Sequence, residues 1–382
     1  MRIAQVTYST KPRGGVVHTL ALAEALARRG HDVTVWTLGR GGDRAFFRPV
    51  DASVTVRVVP FEARDDESVG ERIQRSIETM RAAFAGLDES GRFDVVHAQD
   101  CISANAVGPC IRTIHHLDEF TTPQLIACHD AAIREPIARL CVSDAVAADV
   151  RAGWGFAPTV IPNGVDAARF AAAAGPEGED ARGRWTARLG EYVLALGGIE
   201  PRKGSIDLLE AFAVLRRTRP DVRLVFGGGE TLFDYRPYRE AFDARMVELG
   251  VEPVVLGVVD EAELPALVAA ASALAFVSTK EGFGLAAMEA LAAGVPVVAR
   301  DLPVLREVFG STVAFASNAA SIADALDAAM AGVGPSAAGG RALAAGHDWD
   351  DVARLHEAFY EAVGSEGDHG EAVDLPDLHL AR

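Results

Sequence analysis

The chain of 382 residues is 49% apolar, 24% charged and 7% aromatic, which excludes a disordered chain and suits two domains of roughly 100–200 residues each. Lys and Arg number 37 against 54 Asp and Glu, a net charge of −17, and no long basic run offers the face that nucleic acid requires. No segment reaches the ~18 uninterrupted apolar residues of a membrane span, and the N-terminus enters a strand pattern without a signal-peptide core. A soluble cytoplasmic protein is expected, and its four cysteines are too few for a disulfide scaffold.

Short β-branched runs alternate with Ala/Leu/Glu/Arg helical stretches. Residues 2–8 read as a strand, 9–15 as a loop, 16–29 as a helix stopped by Gly30, and 32–38 as the next strand. A further strand is expected at 54–60. The segment 71–87 places Ile73, Ile77, Met80 and Phe84 at helical spacing. Its Arg72, Arg75 and Arg81 are diluted by Glu71, Glu78 and Asp88, so it is expected to cover a sheet rather than dock on anionic lipid. Strands follow at 94–99, 111–117, 140–143 and 159–162. The Ala- and Gly-rich stretch 171–183 reads as a linker with weak helix. Strand–helix alternation resumes at 192–199, and the runs 193–196, 224–226 and 273–277 are apolar on both faces, as in parallel strands buried under helices. The expectation is an α/β chain of two doubly wound parallel sheets, 1–165 and 166–345, a terminal helix at 346–363 crossing back to the first domain, and a loose tail at 364–382.

In such folds ligands sit beyond the carboxyl ends of the strands. The first strand–helix loop carries Gly14 and Gly15, which let backbone approach a ligand at a helix N-terminus. Its counterpart in the second domain, Gly197-Gly198-Ile199-Glu200-Pro201-Arg202-Lys203-Gly204, sets two cations where a helix start prefers acids. An anion such as a diphosphate would satisfy them, with Arg202 as a planar fork and Lys203 as a point charge. A third segment runs Glu281-Gly282-Phe283-Gly284-Leu285 to Glu289. A helical path would part the two carboxylates by about 12 Å, the reach from a ribose to a sugar joined through a diphosphate. Glu289 lies in an apolar run, where an unpaired carboxylate is costly.

The pattern Glu281-Gly282-Phe283-Gly284-Leu285 … Glu289-Ala290 … Gly294-Val295-Pro296-Val297-Val298 resembles the donor-site signature of the family 4 (group 1) retaining glycosyltransferases. Arg202-Lys203-Gly204 resembles their phosphate motif, and Ile161-Pro162-Asn163-Gly164-Val165-Asp166 with Phe170 their domain junction. The resemblance implies the GT-B fold, two Rossmann-like domains facing an interdomain cleft. It also implies transfer of a sugar from a UDP- or GDP-sugar to an acceptor that the sequence does not identify, with no cofactor and no metal. Glu289 would bind the ribose, Glu281 the sugar hydroxyls, and the N–H groups of Gly282, Phe283, Gly284 and Leu285 the sugar and phosphates. Arg202 and Lys203 would neutralise the leaving diphosphate, with Gly14 and Gly15 near it. A family histidine beside the donor sugar falls on His115 or His116 of Thr113-Ile114-His115-His116, and His115 has the matching Thr-x-His spacing. Retention would follow a front-face route through an oxocarbenium-like state. The alternatives are a sugar-nucleotide epimerase of the same fold and a catalytically silent nucleotide-sugar-binding subunit.

Asp348-Trp349-Asp350 has the spacing of a metal-binding acid pair, but it precedes a helical pattern and reads as a helix start. Cys101, Cys110, Cys128, Cys141, His97, His115, His116 and His129 gather within 97–141 without zinc-ligand spacing and read as core groups. Lys11, Arg13 and His116 hint at an anionic group on the acceptor.

Overall fold

The computed structural model describes residues 1–64, 66–86, 93–118, 120–229 and 236–366. They form two compact units, Met1–Gly164 with the residues from Trp349 on, and Val165–Asp348.

In the first unit the strands are β1 (Arg2–Val6), β2 (Asp32–Arg40), β3 (Thr55–Phe61), β4 (Val95–Ala98), β5 (Ile111–Ile114), β6 (Ala138–Cys141) and β7 (Thr159–Val160). They make one parallel sheet in the order β3-β2-β1-β4-β5-β6-β7. The order reverses between β1 and β4, and at this switch point the loops after adjacent strands diverge to opposite faces. Three expected strands run too long, because β1, β5 and β7 stop at Val6, Ile114 and Val160. His115 and His116 therefore stand on the loop after β5.

The first helix, Gly14–Arg28, starts two residues earlier than the periodicity predicts, so both glycines belong to its first turn. It buries Val16, Leu20, Leu22 and Leu26, and ends before Gly30, whose φ of +91° stops the helix. The helix Val69–Ala85 opens with a capping box between Ser68 and Glu71 and buries Ile73 and Met80. Leu87 of the expected helix and the neighbouring Asp88 lie outside the described residues. Packing against this unit, the last helix (Trp349–Glu366) buries Val352, Phe359 and Tyr360. Of the expected tail, 364–366 end this helix and 367–382 lie outside the described residues.

The second unit holds β8 (Tyr192–Leu196), β9 (Arg223–Gly227), β10 (Val254–Val255), β11 (Ala273–Phe276), β12 (Val297–Arg300) and β13 (Ala314–Ala316). They also run parallel, in the order β10-β9-β8-β11-β12-β13. The stretch read as a linker is corrected: helices Ala167–Ala174 and Glu179–Leu189 flank a turn at Pro176–Gly178. Buried Phe170, Trp185 and Leu189 anchor them, too sparse an apolar set to announce amphipathic helices. Among the described residues no helix is long and apolar enough to cross a membrane.

Candidate active site

In the second unit, β8 runs into Gly197 and a single turn of 3₁₀ helix, Pro201–Lys203, before the helix Ser205–Leu215. Arg202 and Lys203 thus sit one turn ahead of the helix proper. Between them and it, Gly204 has φ +63°, and a Cβ there would stand 2.4 Å from the Val277 carbonyl oxygen. Only glycine allows that approach. It lets the Thr279 N–H donate to the Arg202 carbonyl at 2.7 Å, so the loop after β8 and the loop after β11 are tied together.

That tie brings Lys203 Nζ to 2.7 Å from Glu281 Oε1, and Arg202 Nη1 to 3.3 Å from the same oxygen. Arg202 Nη2 also lies 3.6 Å from Glu200 Oε1. The side chains of Glu281, Lys203 and Arg202 are 11%, 20% and 26% exposed. Burial pushes the Glu281 carboxyl up, but the charges of Lys203 and Arg202, with hydrogen bonds from Lys203 and Ser278, outweigh it and hold the pKa at about 2. Glu281 is therefore ionised, and it is the anion that the two cations meet.

Gly284 precedes the helix Leu285–Ala292 with φ +107°, and a Cβ there would lie 2.9 Å from the Phe309 ring. The N–H groups of Gly282, Phe283, Gly284 and Leu285 find no hydrogen-bond acceptor among the described residues. Phe283 is buried, with its ring 5.6 Å from that of His347. Only the second half of the path from Glu281 to Glu289 is helical, because the turn occupies residues 281–284.

Glu289 projects from the helix half-buried, and its carboxyl has no hydrogen-bond donor among the described residues. Burial, then the charge of Glu261, raise its pKa to about 8, and Arg169 opposes them only in part. Arg169 is committed to Glu261 at 2.5 Å. The carboxyl is thus mostly protonated at neutral pH, with no hydrogen bond made to it among the described residues.

In the first unit, a Cβ on Gly15 would touch the His115 ring at 3.4 Å, whereas one on Gly14 would meet open space. The N–H groups of Gly14, Gly15 and Val16 have no acceptor among the described residues. His115 Nε2 lies 3.0 Å from Gln99 Oε1, and Gln99 Nε2 donates to Gln5 Oε1 at 2.8 Å. Gln5 Nε2 donates to the Tyr360 hydroxyl at 3.1 Å; that hydroxyl lies 2.8 Å from His97 Nδ1, and His97 Nε2 lies 2.7 Å from Thr113 Oγ1. Each group that accepts in this chain donates to the next. His115 therefore carries its proton on Nε2 and leaves Nδ1 as an acceptor.

Burial, with the neighbouring charges of His18 and Arg112, holds His115 well below the usual histidine range. His18 packs edge-on to it at 4.8 Å and lies 2.8 Å from Asn163 Oδ1 through Nδ1. In the same motif, a Cβ on Gly164 would sit 2.5 Å from the Trp349 ring, which accounts for that glycine by close packing. His116 points elsewhere, 3.0 Å from Asp118 Oδ2.

Two family models match the chain, one described as Glycosyl transferases group 1 over residues 186–333 and one as Glycosyltransferase Family 4 over residues 12–169. A glycogen synthase of Mycobacterium tuberculosis is 30% identical, over 100% of this chain and 98% of its own length. A phosphatidyl-myo-inositol mannosyltransferase of the same organism is 30% identical over 96% and 98% of the two chains. The chain belongs to the family 4 glycosyltransferases. Solved structures agree in fold. Anabaena HepE, in complex with UDP and glucose, superposes with a TM-score of 0.73 at 21% identity, covering 96% of this chain and 100% of its own. Sucrose-phosphate synthase from Thermosynechococcus elongatus gives 0.74 at 20% identity, covering 95% and 99%. The GT-B fold and the glycosyltransferase class expected from the motifs both hold.

Of the predicted residues, the transferase brings Arg202, Lys203 and Glu281 into one charged cluster and Gly15 against His115, while Glu289 stands apart on its helix. The three residues that hinted at an anionic group on the acceptor have partners within the chain. Lys11 pairs with Asp43 at 2.9 Å, Arg13 donates to the Tyr8 hydroxyl at 3.2 Å, and His116 is taken by Asp118. Asp350 of the suspected acid pair meets Arg28 at 2.6 Å. Sequence reasoning missed Gln5, Gln99, Tyr360 and Ser278. The cue available for Gln5, Gln99 and Ser278 was polar residues at the ends of apolar strands, which becomes informative only when the strands are set side by side; Tyr360 lies in the last helix.

Proposed function

We propose that the transferase moves a sugar from a nucleoside-diphosphate sugar, with retention at the anomeric carbon and without a metal ion. The observation that carries this reading is the cluster of Lys203, Arg202 and ionised Glu281 at the mouths of two tied loops. An arriving diphosphate exchanges for Glu281 as the partner of the cations. Glu281, released, accepts hydroxyls of the donor sugar. As the glycosidic bond breaks, charge grows on the diphosphate and is met by Arg202, Lys203 and the unpaired N–H groups of Gly282 to Leu285, which is electrostatic stabilisation of the leaving group.

A carboxyl with pKa about 2 is too acidic to donate a proton near pH 7, so Glu281 acts by binding and field. Gly14, Gly15 and neutral His115 are assigned to the donor's phosphate and sugar by the family resemblance. The acceptor attacks on the face that the diphosphate leaves. HepE was solved with UDP, so UDP is the first nucleotide to try.

Thermal unfolding with UDP, GDP, ADP and their sugar conjugates tests the donor reading. A nucleotide at about 100 times its Kd adds roughly 2.7 kcal/mol of stability. One nucleotide raising the midpoint, equally with and without EDTA, is the expected result. A shift abolished by EDTA removes the metal-free reading, and no shift with any nucleotide removes the donor assignment.

Glu289 is assigned to the ribose hydroxyls. A carboxyl with pKa about 8 is mostly protonated at pH 7, and accepting both hydroxyls favours its ionised form. Nucleotide binding at pH 7 is therefore expected to release most of a proton, read by calorimetry in buffers of different ionisation enthalpy. Glu289→Gln should bind more weakly and release none. Equal proton release by the two proteins would refute the assignment.

A further inference from the structure

The carboxyl ends of β1, β2 and β3 stand side by side in the first unit and gather arginines around two aromatic rings. Arg40 is the last residue of β2, in register with Phe61, the last of β3. Its guanidinium carbon lies 5.5 Å from the centre of the Phe61 ring and 5.6 Å from that of Tyr8, which follows β1. Arg75, from the helix Val69–Ala85, sits 3.8 Å from the centre of the same Phe61 ring. Arg13, the residue before the first helix, donates through Nη1 to the Tyr8 hydroxyl at 3.2 Å. Two rings thus draw three guanidinium groups together.

Their charges are unequally balanced. Arg75 pairs with Glu67 at 2.5 Å. Arg13 has a neutral phenol as its partner, and half-buried Arg40 makes no hydrogen bond and no ion pair among the described residues. Two acids close by are committed elsewhere: Asp43 to Lys11 at 2.9 Å and to Thr10, and Asp100 to the N–H groups of Ser103 and Tyr8, each at 2.8 Å. Aromatic faces hold a guanidinium by its flat side and leave its N–H edge open to a planar, two-toothed partner. Two positive charges without a counter-ion, one of them partly removed from water, are costly until an anion meets them. Burial lowers the Arg40 pKa, Tyr8 opposes this, and the charges of Arg72, Arg13 and Arg75 add to the lowering.

We propose that Arg40 and Arg13 bind a phosphate monoester carried by a sugar or polyol acceptor, Arg40 as a two-toothed fork and Arg13 as the second charge. A phosphate monoester is close to a dianion at neutral pH and matches the two unbalanced charges, whereas a carboxylate leaves one of them over. Arg13 adjoins Gly14 and Gly15, and Gly15 lies against His115, so the arginines border the residues assigned to the donor. In this kind of sheet the carboxyl ends of the strands are where ligands sit. That the ligand is the acceptor rests on the transfer reaction proposed above, while the anion site rests on the arginines alone.

The test is calorimetric titration of the full chain, in the presence of UDP, with glucose 1-phosphate, glucose 6-phosphate, glycerol 3-phosphate, the unphosphorylated parents and inorganic phosphate. At least one ester should bind, with its parent and inorganic phosphate each at least ~10-fold weaker, because ester and parent contacts add. Arg40→Gln should lower the affinity for that ester by ~10-fold or more, the range for losing hydrogen bonds to a charged group, and Arg13→Gln provides the same reading should Arg40→Gln fail to fold. UDP titrated alone on each protein reads the donor site separately and should be unchanged by either substitution. No binding of any ester, ester affinity untouched by both substitutions, inorganic phosphate as tight as the best ester, or UDP affinity falling in step with ester affinity would each overturn the proposal. Ester binding that depends on Arg40 in a protein that does not bind UDP would uphold this site and refute the donor assignment instead.

Discussion

Glu281→Gln is expected to lower kcat by about 10²-fold, the range seen when one preorganised polar contact to a transition state is lost. Nucleoside-diphosphate affinity should stay level or rise. The reason is in the geometry: Lys203 at 2.7 Å and Arg202 at 3.3 Å are held by Glu281, and the proposed diphosphate would have to displace it. Removing its charge would remove the competitor and, on the proposed role, the acceptor for the sugar as well. Steady-state kinetics beside calorimetric titration with the nucleoside diphosphate separates the two effects. Unchanged turnover would refute the role given to Glu281, and a matching loss of diphosphate affinity would assign the residue to phosphate binding instead. Lys203→Met should do the reverse, losing diphosphate affinity as well as turnover.

The first unit is expected to unfold on mild acidification. Burial, joined for His18 by the charge of His356 and opposed by the hydrogen bonds that the rings make to Asn163 Oδ1 and the Val352 carbonyl, lowers His18 to about 3 and His356 to about 4. Burial and neighbouring histidines hold His97 and His115 well below the usual range. All four rings are neutral in the folded chain, and in the unfolded chain they protonate near pH 6.5. The unfolded state thus binds more protons as pH falls below about 6.5, and stability drops toward pH 4. Each ring contributes up to about 1.4 kcal/mol per pH unit, so four approach about 5 kcal/mol per unit.

Against a typical domain stability of 5–15 kcal/mol, the midpoint should fall near pH ~5. Glu289 works in the opposite sense in the second unit. Its pKa is raised to about 8, so its contribution is complete below about 4.5 and is lost as pH rises through 8. Fluorescence of Trp36, Trp154 and Trp349 should therefore change at a higher pH than that of Trp185. His356→Leu should flatten the slope by about one proton. An unaltered slope, or a first unit still folded at pH 4, would refute this account.

Much of this protein was legible in its residues. Parallel strands buried on both faces read as continuous apolar runs, and turn chemistry marks their ends, so 193–196, 224–226 and 273–277 were locatable by local pattern. The motif residues Arg202, Lys203, Gly204, Glu281, Gly284 and Glu289 stood out because the phosphate and diol recognition proposed for them restricts residue type at short spacing. The helices Ala167–Ala174 and Glu179–Leu189 were not legible as such, since one or two large anchors in an Ala- and Gly-rich stretch carry no period.

What the sequence by itself determined is the order of elements and the chemistry available at each strand end. Local propensity and side-chain identity suffice for both. Only the tertiary structure decided which charge meets which. Residues about eighty positions apart, Lys203 and Glu281, become partners because Gly204 lets two loops touch. Gln5, Gln99 and Tyr360 form one hydrogen-bonded line because β1, β4 and the last helix pack together, which fixes the tautomer of His115. A pKa follows from burial and neighbours, and neither is a property of the residue alone. Glu281 and Glu289, the same side chain eight positions apart, therefore end at about 2 and about 8.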